Sequence, residues 1–481
     1  MRPRYLTLLT FAVPLVFASC SIDDRDTETG MAGTTGQNTD DDDSLPDDSD
    51  TTPGGGGSTG TGEGPNVGGP LDPGEDPDNS GNAGAGGSGQ VGSVEPIGTV
   101  ENRGADCEVP ALPAGSTLPD IANLPDPFTR LDGTRISQKS DWICRREEIL
   151  RQTFQYIYGQ KPPKPDSVTG AVSNTLVTVN ITHNGQNQSF TAAVATPAGQ
   201  GPFPAVIAFG NGGPRAQIAD MGVAVINFAQ AAVGSRNTGI FGGLYPNNTA
   251  GDLAAWAWGV SRIIDVLQAA DNTVIDSTRL AVTGCSFLGK AAFAAGALDE
   301  RIALTIPLES GIGGVPSYKI VPALEPNPTN SGSGPEQPQH AINNGWLPGT
   351  SLVGQFQKLP VDTHEIIGLV APRGLLVLGN TGGNGQFYLN LDFRSEHATA
   401  VAGKEIFTAL GVPTNISYDS RNVTHCQNTD MFTAAVQASV GRFLLGNAST
   451  TGAFTTDWEG VRAAPDPYID WVTPTLEGEL P

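Results

Sequence analysis

Hydrophobic residues are distributed unevenly along this chain. An apolar run spans residues 5–18, large apolar side chains then almost vanish up to residue 104, and regular patterning begins only beyond residue 105. From there the pattern alternates between two periods. Residues 140–158 have helical spacing, stopped by Pro162 and Pro163. Residues 175–182 and 188–195 alternate as strands around the turn Asn184-Gly185. Residues 203–209 form a continuous apolar strand that empties into the loop Gly210-Asn211-Gly212-Gly213-Pro214, followed by a strand over 222–227 and a Gly/Asn-rich loop to Asn248. A long helix is predicted over 250–269, carrying Trp256 and Trp258. Strands follow at 280–282, 301–307, 374–379 and 414–418, with helices at 291–295, 398–410 and 430–444. Apolar strands alternating with helices predict an α/β domain over 105–481. Its mostly parallel sheet is covered by helices on both faces, a three-layer αβα sandwich.

The first twenty residues combine Arg2 and Arg4, the apolar run, and a small-residue ending at Ser19-Cys20. That is the make-up of an export signal. Because the apolar run stops at a cysteine and a polar stretch follows, Cys20 is the expected lipidation point of a surface-tethered, outer-membrane-type lipoprotein. The expected membrane contact is that N-terminal lipid alone. Residues 21–104 read as a disordered acidic linker rich in Gly, Asp, Thr and Ser. Up to Glu95 it holds seventeen acids against one base, Arg25, and so most of the chain's net charge of −24. The acidity therefore says little about the folded surface and argues against nucleic acid as a partner. With Cys20 set aside, Cys107, Cys144, Cys285 and Cys426 remain, an even number that suggests two disulfides in an exported chain and permits three pairings.

Residues 284–289, Gly-Cys-Ser-Phe-Leu-Gly, lie between a strand end and a run of small helical residues. A sharp turn there lifts the Ser286 hydroxyl over the carboxyl edge of the sheet, and the start of the helix supplies backbone donors. A nucleophilic serine needs a base, and the base needs an orienting acid. In the order Ser, acid, His, His183 drops out. His425 sits between the late strand and the last helix, whereas His364 and His397 lie beside or within helical segments where a structural role fits better. Glu309 is delivered to the end of the strand directly after the serine's helix. A bridge between Cys285 and Cys426 would tie the serine loop to the histidine loop.

Several stretches together resemble the glucuronoyl esterases, carbohydrate esterase family 15. They are 284–290 (Gly-Cys-Ser-Phe-Leu-Gly-Lys), 306–311 (Ile-Pro-Leu-Glu-Ser-Gly), His425-Cys426, 124–128, 144–146, 201–205, 255–265, 369–373 and 469–474. The resemblance implies an α/β-hydrolase fold, no metal, and cleavage of the ester between xylan glucuronate and a lignin alcohol; a monomer without a cofactor is expected. It implies Ser286 as nucleophile, His425 as base, Glu309 as its partner, and the Phe287 backbone N–H as an oxyanion donor. It further implies the Cys285–Cys426 bridge, which leaves Cys107 with Cys144. Lys290, Gln337 and Trp346 become expected substrate-binding residues. Trp256 and Trp258 are expected to pack in the core. The departures are equally informative. Phe287 stands where the family carries an arginine that helps hold the oxyanion, a loss on the order of 3 kcal/mol. The family's sugar-stacking tryptophan has no counterpart in residues 381–386. These departures leave open an esterase for a different ester, or a weakly active saccharide-binding protein on the same scaffold.

Overall fold

The computed structural model describes residues 98–270, 274–324, 335–381, 391, 393–427, 429–457 and 466–480. The expected signal, Cys20 and the linker up to residue 97 lie outside the described residues, as do 382–390. Ten strands form one sheet in the order β1-β2-β3-β5-β4-β6-β7-β8-β9-β10. The first three, β1 (Ser167–Val172), β2 (Leu176–His183) and β3 (Gln186–Ala195), run antiparallel. β3 meets β5 (Ala224–Phe228) antiparallel. From there the sheet is parallel through β4 (Phe203–Phe209), β6 (Ile275–Cys285), β7 (Leu304–Leu308), β8 (Gly374–Asn380), β9 (Ile416–Arg421) and β10 (Phe454–Thr456). The central strands β4 and β7, and β6 from Leu280 onward, are buried almost throughout, as apolar runs covered on both faces must be.

Nine α-helices are described: α1 (Trp142–Thr153), α2 (Arg215–Asp220), α3 (Gly239–Leu244), α4 (Asp252–Ala269), α5 (Phe287–Leu298), α6 (Pro338–Asn343), α7 (Thr363–Gly368), α8 (Phe393–Ala409) and α9 (Thr433–Phe443). The small residues of α5 let it lie close on the sheet: Ala291, Ala292, Ala294 and Ala295 are fully buried, and Gly296 faces Thr305 of β7 with no room for a Cβ. Trp258 of α4 is buried against Phe241 and Tyr245, and Trp256 donates its indole N–H to Gly234 O at 3.0 Å, so both pack in the interior.

The observed elements differ from the sequence expectations mainly at edges and short pieces. β1 was not foreseen because its residues are mostly exposed and carry no apolar alternation. α2 fills the gap between the glycine loop and the next strand, where no element is predicted, and α3 falls inside the Gly/Asn-rich loop. The domain also starts earlier than composition suggests. Residues 98–104, expected within the linker, are held on it: Glu101 pairs with Lys161 at 2.6 Å and Arg262 at 2.5 Å, and Arg103 with Glu300 at 2.8 Å. A disulfide joins Cys107 to Cys144 of α1.

Candidate active site

Ser286 occupies the step from β6 into α5, at φ 60° and ψ −130°. Its N–H donates to Leu308 O and its carbonyl accepts from the Lys290 N–H, both at 3.0 Å, so the neighbouring strand and the new helix fix the turn together. Both flanking glycines have steric reasons. A Cβ on Gly284 would strike the Leu288 carbonyl, and one on Gly289 would lie 2.5 Å from Leu308 O. The glycine loop after β4 rests on this turn. Gly210 and Gly213 take positive φ, and a Cβ on Gly212 would come within 2.9 Å of the Cys285 Cβ.

Parallel pairing sets Cys285 opposite Leu308, so β7 releases Glu309 at the same carboxyl edge. Glu309 has φ 48°, donates its N–H to Leu378 O at 2.7 Å, and is 2% exposed. One carboxylate oxygen accepts a short hydrogen bond from His425 Nδ1. The other accepts the Cys426 N–H at 3.1 Å. An Nδ1–H held this way leaves Nε2 as the imidazole's proton acceptor. Asn380, at the end of β8, donates to the same oxygen as His425 at 3.2 Å and to Val423 O at 2.9 Å, linking the acid to the histidine loop. Sequence reasoning passed over Asn380. Its one signal is a polar residue ending a buried strand.

Cys285 and Cys426 are joined by a disulfide with Cα atoms 5.7 Å apart, tethering the residue before Ser286 to the residue after His425. The two sulfurs and a ring nitrogen of His425 lie within 4.8 Å of one another. Because the sulfurs are bonded to each other, neither offers a thiolate to a metal. Three residues outside glycine at these loops, Ser286, Glu309 and Cys426, hold left-handed backbone.

Lys290, one turn into α5, is 1% exposed. Its ammonium donates to Ser310 O at 2.6 Å and Glu336 Oε2 at 2.9 Å, and lies 4.5 Å from the centre of the Trp346 ring. Burial pulls its pKa below the ordinary lysine value, and the Glu336 carboxylate opposes that pull. Glu336 also accepts the Ile312 N–H at 3.0 Å. Gln337, beside it, is exposed and turns its amide onto Pro335 O at 3.0 Å. Trp346 is half-buried against the core. The structure thus gathers Ser286, Phe287, Glu309 and His425 at one edge of the sheet, and joins the buried Lys290 and Glu336 with Trp346 in a cluster bonded to Ser310, the residue after Glu309.

A parallel sheet with a half-buried serine at a strand-to-helix turn, and a carboxylate–imidazole pair on the loops of later strands, defines an α/β-hydrolase. A family model described as "Glucuronyl esterase, fungi" matches residues 179–411. The chain is 36% identical over 388 residues to the 4-O-methyl-glucuronoyl methylesterase of Hypocrea jecorina, covering 78% of this chain and 80% of that protein. Among solved structures it is similar to the glucuronoyl esterase catalytic domain of Hypocrea jecorina (TM-score 0.68, 34% identity, 76% of this chain and 100% of that one). It is likewise similar to a mutant glucuronoyl esterase of Sporotrichum thermophile in complex with methyl 4-O-methyl-β-D-glucopyranuronate (TM-score 0.67, 33% identity, 77% of this chain and 100% of that one). The chain belongs to the glucuronoyl esterase family.

Proposed function

We propose that the protein is a serine carboxylic ester hydrolase acting on uronic acid esters. Its substrates are esters that join a 4-O-methyl-glucuronate of xylan to a lignin alcohol. The observation that carries the reading is the Glu309–His425 pair, locked by the Cys285–Cys426 bridge beside a serine on a strained strand-to-helix turn. Ser286 Oγ attacks the ester carbonyl as His425 Nε2 takes its proton. Glu309 stabilises the resulting imidazolium, and the Phe287 N–H at the head of α5 donates to the oxyanion. The imidazolium protonates the departing alcohol. Water, deprotonated by the same nitrogen, then releases the uronate from Ser286. No step calls on a metal or cofactor.

Lys290, with Glu336 and Trp346, holds the floor of the uronate side, and Gln337 is the exposed amide nearest to it in sequence. Two disulfides support export to an oxidising compartment. A lipid on Cys20 would then keep the enzyme at the cell surface. The test compares benzyl glucuronate, methyl galacturonate and an aryl acetate, with Ser286→Ala as control. Serine-dependent turnover of the glucuronate ester above the other two is expected. Acetate turnover alone would refute the uronate assignment, and turnover surviving in S286A would refute the nucleophile.

A further inference from the structure

Large apolar side chains exposed by more than a third number five among the described residues: Val100, Leu176, Phe287, Met431 and Val472. Phe287 is the sole aromatic of the five, 38% exposed, and it directly follows the serine. Its ring does not stand alone. The Trp256 ring lies 6.2 Å away, tilted by 60°, and is pinned because its indole N–H is spent on Gly234 O. The Phe287 ring, braced from behind by the buried Trp256, therefore presents a firm apolar surface with no polar atom, in the residue next to the reacting serine. An exposed aromatic face costs free energy in water unless something covers it.

An ester at Ser286 has two halves with opposite needs. The uronyl half is covered in hydroxyls, and on its side the buried Lys290–Glu336 pair, one helical turn past Phe287, forms a polar floor. The Phe287 ring could only desolvate hydroxyls without repaying them. We infer that Phe287, backed by Trp256, is the specificity-determining contact for the alcohol half of the ester and selects aromatic alcohols over small ones. The inference rests on the uronate-ester reading above.

The test is the ratio of kcat/KM for benzyl glucuronate to that for methyl glucuronate, measured for the wild type, Phe287→Ala, Phe287→Tyr and Phe287→Arg. A ratio gives information even where a variant's absolute rate changes. The wild type is expected to favour the benzyl ester. F287A and F287R are expected to cut the ratio about tenfold, chiefly through KM for the benzyl ester, and F287Y to retain it. A ratio unchanged within about twofold in F287A, or a wild type indifferent to the alcohol, overturns the inference. So does an equal loss on both esters, which would make Phe287 a support for the turn. If the wild type hydrolyses neither uronate ester, the uronate reading has failed separately. The same ratio on benzyl and methyl acetate then decides the role of Phe287.

Discussion

Replacing Lys290 by Met keeps its length and apolar stem and removes only the ammonium. The Glu336 carboxylate, nearly as buried, is left with the Ile312 N–H as its remaining partner near the site. Breaking a buried ion pair from one side costs about 3–5 kcal/mol, because an uncompensated charge stays behind. Glu336→Leu alone strands the ammonium on Ser310 O and orphans the Ile312 N–H, and should cost a similar amount. The double variant K290M/E336L removes both charges and should recover a large part of the sum, with a coupling of about 2–3 kcal/mol in the cycle. Urea unfolding followed by tryptophan fluorescence reads the four midpoints, with the denaturant slope compared across variants. Additive losses would show that the two groups do not compensate each other. A K290M protein as stable as the wild type, with only KM for the uronate raised, would make the lysine purely a substrate ligand and refute the structural role.

Four further outcomes follow from the site and the core. Ser286→Ala should abolish uronate ester hydrolysis, and Glu309→Gln should lower kcat by about 10⁴ through loss of the charge that orients and stabilises the imidazole; retention of most activity in E309Q would remove Glu309 from the proton relay. Replacing Cys285 and Cys426 together by Ser frees a loop of 141 residues and should lower stability by about 5 kcal/mol on chain-entropy grounds, with kcat falling more than KM rises; unchanged kcat would show that the bridge does not hold the site's geometry. His364 is buried, donates Nε2–H to Pro125 O at 2.8 Å, and burial pushes its pKa down to about 4. The unfolded chain therefore binds the extra proton first. The stability present above pH about 6.5 should drain away by about 3 kcal/mol as pH falls toward 4. His364→Gln should show a shallower loss between pH 7 and 4.5, and identical pH profiles would refute this assignment.

The positions of Ser286 and Glu309 at the sheet's carboxyl edge were legible because each breaks a local pattern. The turn at Ser286 puts glycines where a Cβ would strike backbone, and Glu309 is an acid at the mouth of an otherwise apolar strand. The edges of the fold were less visible. β1 pairs along one side only and has no buried face to print an alternation, and α2 and α3 are too short to show a period. Asn380 is invisible for another reason: its value comes from standing between the acid and the histidine loop, a relation fixed by parallel register. Lys290 reads as a polar residue on a helix, and its burial appears only when Glu336 arrives from a stretch without periodicity.

The left-handed backbone at Ser286, Glu309 and Cys426 limits how the enzyme can be made hardier. Each such residue costs about 1–2 kcal/mol, and the usual remedy is to install glycine. Here that remedy would erase the hydroxyl, the carboxylate or half of the bridge. A thermostable variant must draw its gains from elsewhere, such as the open margin at β1 or the solvent-facing Leu176, and leave the cramped mouth as it is.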